Sequence, residues 1–149
     1  MKTVRDILKN KNQKDVWSIK PKATVYDALA LMGEKEIGAL MVIDEKGKVT
    51  GIISERDYAR KIILKGKASK ATAVEEIMTP TDQMYKVNPG TSVDDCMVLI
   101  TGKHIRHIPV FDGDKFVGII SIGDVVKSII AEQETLIAQL SDYIAGKYT

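Results

Sequence analysis

The chain has 149 residues, 44% of them hydrophobic and 28% charged, the make-up of one globular domain or of two half-size units sharing a core. Aromatics at 5% and a net charge of +2 argue against a base-stacking nucleic-acid surface or a polyanion-binding face. A lone cysteine, Cys96, excludes an intrachain disulfide, and no apolar run approaches the roughly 20 residues that span a bilayer.

In chain order, the start is charged and has no signal-peptide core, so a reducing, cytoplasmic setting is expected. Val4-Arg5-Asp6-Ile7-Leu8 reads as a short N-terminal helix, and a short strand follows at about residues 16–19. Thr24 is placed to cap a helix running to about Lys35, with the apolar stripe Val25, Ala28, Leu29 and Met32. A hairpin comes next: residues 40–43, the turn Asp44-Glu45-Lys46-Gly47, and a strand ending at Ile53. A helix then starts at Ser54, and residues 65–72 have the composition of a mobile linker.

The second half repeats this order. A strand is expected at about residues 84–87, then a Ser92-capped helix to about Lys103 with the stripe Val93, Cys96, Met97 and Ile100. The strand at residues 108–111, the turn Asp112-Gly113-Asp114 and a strand ending at Ile120 lead to a helix from Ser121. That helix runs unbroken to about residue 143, on the order of 30 Å. Val126, Ile130, Gln133, Ile137, Leu140 and Ile144 recur along it at steps of three and four. It either lies across the domain or forms a contact between two copies; the contact is expected, because only one half carries the extension.

The correspondence is residue by residue. With Pro21 set against Pro89, Val25 meets Val93, Asp27 meets Asp95, Leu31 meets Leu99, Ile37 meets Ile105, and Val42-Ile43-Asp44 meets Val110-Phe111-Asp112. After a one-residue deletion in the turn, Gly51-Ile52-Ile53-Ser54 meets Gly118-Ile119-Ile120-Ser121 and Asp57 meets Asp124. Upstream, Val4 to Leu8 resembles Val74 to Met78. Recurrence of glycine, serine and aspartate in order marks an internal duplication. Each β-α-β-β-α unit alone has too few strands to bury its helices, so the two are expected to pack together.

Catalytic chemistry finds no support. The chain has no Walker or dinucleotide glycine loop and no His-Glu-x-x-His, and its two histidines, His104 and His107, have no further thiol or imidazole near them in sequence. His104 reads as an exposed helix end. Cys96 lies on an apolar helical stripe and reads as a core thiol. The repeated Gly-Ile-Ile-Ser-x-x-Asp has two compatible readings. Serine at a helix N-cap with aspartate at N3 is a capping box; the same aspartate can also accept hydrogen bonds from a ribose diol, while the serine and the helix N–H groups meet phosphate.

Gly51 to Asp57 and Gly118 to Asp124 resemble the closing motif of the CBS domain family, and His104-Ile105-Arg106-His107-Ile108-Pro109-Val110-Phe111-Asp112 resembles its central strand. The resemblance covers about residues 3 to 130 and is closest to stand-alone tandem CBS pairs. It implies an α/β (α+β) fold of two β-α-β-β-α repeats packed with pseudo-twofold symmetry, plus the long C-terminal helix. The expected division is residues 1–66 as the first repeat with its N-terminal helix, 67–130 as linker and second repeat, and 131–149 as the helical extension.

It also implies a non-catalytic regulatory module that binds an adenosine ligand in clefts between the repeats, as an energy or redox sensor. AMP is the first choice, with ADP, ATP, NAD(H) and S-adenosylmethionine open. Asp57 and Asp124 would hold ribose; Ser54 and Ser121 would approach ribose or phosphate. Gly38 and Ala39, and Arg106, His107 and Ile108 ahead of Pro109, would frame the adenine. Trp17, Ser18, Lys86 and Val87 would form the other wall, Trp17 as a stacking ring or as a core residue. Arg56, Arg60 and Arg106 are suited to phosphate, or are solvated surface charges. The first copy lacks the basic pair and proline of the second, so the two clefts are expected to differ. The alternative is a dimerisation or interaction module without a physiological nucleotide. A homodimer with an unknown protein client is expected, without metal, membrane or nucleic acid.

Overall fold

Secondary structure follows the capping signals closely. Along the chain lie α1 (Val4–Asn10), β1 (Ser18–Ile19), α2 (Val25–Lys35), β2 (Ala39–Ile43), β3 (Val49–Ser54) and α3 (Glu55–Tyr58). They continue with α4 (Val74–Ile77), β4 (Thr79–Pro80), α5 (Val93–Lys103), β5 (His107–Asp112), β6 (Lys115–Ser121) and α6 (Ile122–Ile144). Thr24 accepts the Asp27 N–H (3.1 Å) to open α2, and Ser92 accepts the Asp95 N–H (3.0 Å) to open α5. This computed structural model describes residues 2–11 and 16–146. The chain folds as two units, Lys14–Tyr85 and Met1–Gln13 with Lys86–Thr149.

In the Lys14–Tyr85 unit, the sheet has the order β1-β2-β3-β4, with β1 parallel to β2 and the other pairs antiparallel. The stripe expected on α2 packs Val25, Ala28 and Met32 against Leu40, Val42 and Ile53, and Ile62, Val74 and Ile77 complete the core. The helix that follows Ser54 is α-helical for one turn and then widens into a π-helical turn at Ala59–Ile63. The expected linker is tied down at its far end: Thr72 is buried, its hydroxyl donates to the Ala68 carbonyl (2.8 Å), and its own carbonyl accepts the Val25 N–H (2.9 Å).

In the other unit, β5 and β6 form an antiparallel hairpin. Val4, Ile7 and Leu8 of α1 join Val93, Cys96, Ile100, Ile108, Val110, Ile120 and Val125 in one core. The strand expected at residues 84–87 shrinks to a parallel bridge, in which Val87 donates to the Pro109 carbonyl (3.1 Å) and accepts the Phe111 N–H (2.9 Å). From residue 130 onward nearly all of α6 is exposed.

The compact units cut across the sequence repeats expected to divide at residue 66: α1 packs in the unit that holds the second hairpin, and α4 in the unit that holds the first. The cause is helix-end chemistry: first-turn N–H groups have no partner inside their own helix. Those of Val4 and Arg5 donate to the Thr91 and Pro89 carbonyls (2.9 Å each), and Val93 donates back to Lys2 (3.1 Å). In the other unit, Val74 and Glu75 donate to Ala23 (2.8 Å) and Pro21 (2.9 Å), while Val25 donates back to Thr72. The motif glycines seat the incoming segments. A β-carbon at Gly51 would lie 2.6 Å from the Thr79 carbonyl oxygen and 2.8 Å from Met78 Sδ; one at Gly118 would lie 3.0 Å from Leu8 Cδ2.

Backbone cannot yield as the tip of a leucine can. Gly51→Ala is therefore expected to cost about 1–3 kcal/mol and Gly118→Ala less than about 1 kcal/mol, as measured by urea denaturation.

Candidate functional site

In each unit the hairpin delivers the motif serine to the end of a strand and the aspartate to the first turn of a helix. In the Lys14–Tyr85 unit, Ser54 donates its backbone N–H (2.9 Å) and hydroxyl (3.2 Å) to Asp57 Oδ2, and Asp57 N–H returns to Ser54 Oγ (3.3 Å). Ala39 lies opposite Ser54 in the sheet, and the Gly38 carbonyl accepts the Glu55 N–H (3.1 Å). Gly38, Ala39, Ser54 and Asp57 are thus assembled at one strand-to-helix corner. Ser18 is exposed at the edge beside Met41. Asp57 Oδ1 pairs with the Lys61 ammonium (3.3 Å), which also donates to the Ile77 carbonyl (2.8 Å). Trp17 is half-buried against the core, and Lys35 stands 4.3 Å over its ring, so that face is not open to a base. Arg56 is half-buried and Arg60 exposed.

The other unit repeats this corner with different side chains. Ser121 donates its N–H to Asp124 Oδ2 (2.8 Å), Asp124 N–H returns to Ser121 Oγ (3.1 Å), His107 lies opposite Ser121, and Ile122 N–H reaches the Arg106 carbonyl (2.8 Å). Ile108 and Pro109 are buried behind the corner, Arg106 is exposed, and Val87 is bridged to the same strand. Lys86 is turned onto the Phe111 ring, 5.0 Å from its centroid.

Lys11, which follows α1, is the residue that sequence reasoning missed. Its ammonium donates to Asp124 Oδ2 (2.7 Å) and to the Ile119 carbonyl (2.8 Å). A lysine at the end of an amphipathic helix is the available signal, but it carries meaning only once α1 is known to pack with the second repeat. Among the described residues, both side-chain contacts of Asp124 fall on Oδ2, and Oδ1 has no protein donor; at Asp57 both oxygens are engaged.

These contacts set the charges. Burial pushes the Asp124 carboxyl up, but hydrogen bonds from Lys11 and Ser121, with the Lys11 charge, outweigh it and hold the group below its ordinary 3.8. Burial lowers His107 below 6.5; Lys11 and Arg106 add to that, and Asp124 opposes it, so the imidazole is neutral at pH 7. Cys96 is pushed up to about 11 by burial and by Asp95, which fits the core-thiol reading. His104 caps α5 in an exposed left-handed conformation (φ 54°). Among the described residues, no group of three or more His, Cys, Asp or Glu is placed to hold a metal ion, and no helix is long and apolar enough to cross a membrane.

The sequence model of the CBS domain matches residues 3–64 and 74–131. The mitochondrial CBS domain-containing protein CBSX3 of Arabidopsis thaliana is 40% identical over 152 residues, covering 98% of this chain and 73% of its own. Among solved structures, a protein with CBS domains from Burkholderia ambifaria MC40-6 is 50% identical with a TM-score of 0.82, covering 89% of this chain and 96% of its own. CBSX2, solved in complex with AMP, is 27% identical with a TM-score of 0.72, covering 89% of this chain and 99% of its own.

His107, Asp124 and Asp6 each bind fewer protons when folded than when unfolded, so each contributes stability at high pH that is lost on acidification. Stability is expected to fall first as the pH drops below 6.5 towards the folded value of His107, and again below 3.8 as Asp124 and Asp6, also lowered, take up protons. Denaturation measured across this range should lose the first step in His107→Gln, and the second should shrink in Asp124→Asn.

Proposed function

Since the chain belongs to the CBS domain family, we propose that it is a non-catalytic regulatory module that binds an adenosine nucleotide and reports energy or redox state through it. AMP is the leading ligand, ahead of ATP and NAD(H). The carrying observation is Asp124: a carboxylate held ionised at a helix start, with Oδ1 unclaimed by the described residues and turned to no other structural task. A ribose diol needs an acceptor of this kind. The complex of CBSX2 with AMP supports the ligand class.

In this reading Asp124 and Asp57 hold ribose, and Ser121 and Ser54 approach ribose or phosphate. The backbone of Arg106, His107 and Ile108 ahead of Pro109, and of Gly38 and Ala39, frames the base. Ser18, Trp17, Lys86 and Val87 contribute the remaining wall, with Arg56 facing phosphate. The fuller engagement of Asp57 makes its site the weaker of the two. Signalling requires that the nucleotide bind one conformation of the module more tightly than another. The lone protonated Cys96 fits a reducing cytoplasmic compartment.

The same protein is a homodimer in this proposal. Val126, Ile130, Ile137, Leu140 and Ile144 are all exposed on α6, Ile137 at 63% and Leu140 at 52%. Their three-and-four spacing is that of a coiled-coil seam, with Gln133 as its polar layer, and a second copy of the same helix offers the matching surface.

Titration calorimetry with AMP, ADP, ATP and NADH is expected to give binding below millimolar concentration, and Asp124→Ala should weaken it at least about tenfold, with a smaller loss for Asp57→Ala. Absence of binding by the whole panel would remove the sensor reading. Separately, Ile137→Glu with Leu140→Glu is expected to convert a dimer to a monomer by light scattering; an unchanged mass would reject the α6 interface.

A further inference from the structure

The long helix α6 carries more apolar surface than a two-stranded seam uses. With Ile130, Ile137 and Ile144 at heptad position a and Val126, Gln133 and Leu140 at d, the rows on either side are opposite in kind. Ile129, Leu136 and Tyr143 fall at g, all apolar in body; Lys127, Glu134 and Ser141 fall at e, all polar. Ile129 packs on the core of its own unit, whereas Leu136 is 55% and Tyr143 73% exposed. Along the g row runs an open groove of about 550 Å³, walled by Ile129, Gln133 and Leu136 on α6 and by Lys2 and Asp94 opposite.

We infer that two copies join through antiparallel α6 helices, with Tyr143 of each copy seated in this groove of the other. The inference rests on the α6 dimer proposed above and fixes its orientation. Flanking rows decide orientation in a helix pair, because each direction brings different rows together. Parallel helices set g against e, which would place Leu136 beside Ser141 and Ile129 beside Glu134 of the second copy. Antiparallel helices set g against g and e against e, so apolar side chains meet each other and the polar row stays in water. The register follows from the seam. Its longest apolar overlap pairs Ile130 with Leu140 and Val126 with Ile144 across the two copies, and sets Gln133 against Ile137. The two Gln133 side chains then lie about one helical turn apart across the axis. In that register Leu136 meets its own counterpart on the twofold axis, and Tyr143 of the second copy lies over Ile129 at the groove. A phenol suits the place: its ring covers apolar surface, and its hydroxyl faces the Asp94 carboxylate on the opposite wall. The free half of each α6 thus covers the packed half of the other, which accounts for a helix longer than its own unit buries.

Double electron–electron resonance on the full chain reads the orientation directly. Cys96 is buried, so a spin label attaches to a cysteine introduced by Ala145→Cys at an exposed position. The antiparallel register places the two labels about 30 Å apart along the axis, against less than about 20 Å in a parallel pair. Tyr143→Ala and Leu136→Ala are each expected to raise the dimer dissociation constant about tenfold, the loss of one large buried side chain, and Tyr143→Phe should keep most of the affinity. Both positions are exposed in the single chain, so neither change disturbs its folding. A dimer with the short label distance overturns the antiparallel arrangement and leaves the α6 dimer standing. The long distance with no effect of Tyr143→Ala overturns the seating of Tyr143. A monomeric parent protein, or a dimer that survives Ile137→Glu with Leu140→Glu, removes the α6 dimer and this arrangement together.

Discussion

Each unit is closed by two helix starts that satisfy one another. Thr3 faces Ser92 and Thr24 faces Ala73 in antiparallel bridges, and the first N–H groups on both sides find carbonyls across the bridge. A buried N–H without a partner costs on the order of 1–3 kcal/mol, so this mutual capping strongly constrains which segments can meet. It brings α1 and α4 onto their hairpins, and it explains the motif glycines as seats for Leu8 and for the Met78 side chain and the Thr79 carbonyl. The same docking carries Lys11 to Asp124.

The serine–aspartate pair has a structural and a ligand-facing side, and the two do not compete. A capping box uses the serine oxygen and one carboxylate oxygen, each bond within ordinary geometry. The other carboxylate oxygen is where the units diverge: Lys61 pairs with it at Asp57, whereas at Asp124 the cation shares the capping oxygen. Duplication supplied two equal scaffolds. Single lysines placed one turn along a helix, or just past the end of another, make them chemically unequal.

Charge and burial act together around His107. A neutral imidazole beside Lys11 and Arg106 avoids a third positive charge at the corner, and desolvation supplies the leading cause. Far from that corner, α6 leaves the packed hairpin after Val125 and Ile129 and presents apolar side chains to solvent over its second half. These regions answer to different physics, electrostatics in a half-dry corner and apolar area on a free helix.

Local chemistry was legible in the sequence. The N-caps Thr24, Ser54, Ser92 and Ser121, the helical stripes, both hairpins and the length of α6 are set by contacts between residues a few positions apart, which spacing reports directly. The repeated motif also exposed the paired aspartates. Long-range partnership was not legible in the same way. The alignment of Val4–Leu8 with Val74–Met78 revealed two equivalent segments, but not the hairpin each packs against, because the carbonyls that cap them are supplied from distant parts of the chain. For the same reason the π-helical turn, the Trp17–Lys35 stack and Lys11 at Asp124 were decided only by tertiary structure. Periodicity describes which face of an element is apolar; it carries no information about which distant donor or cation will come to rest against it.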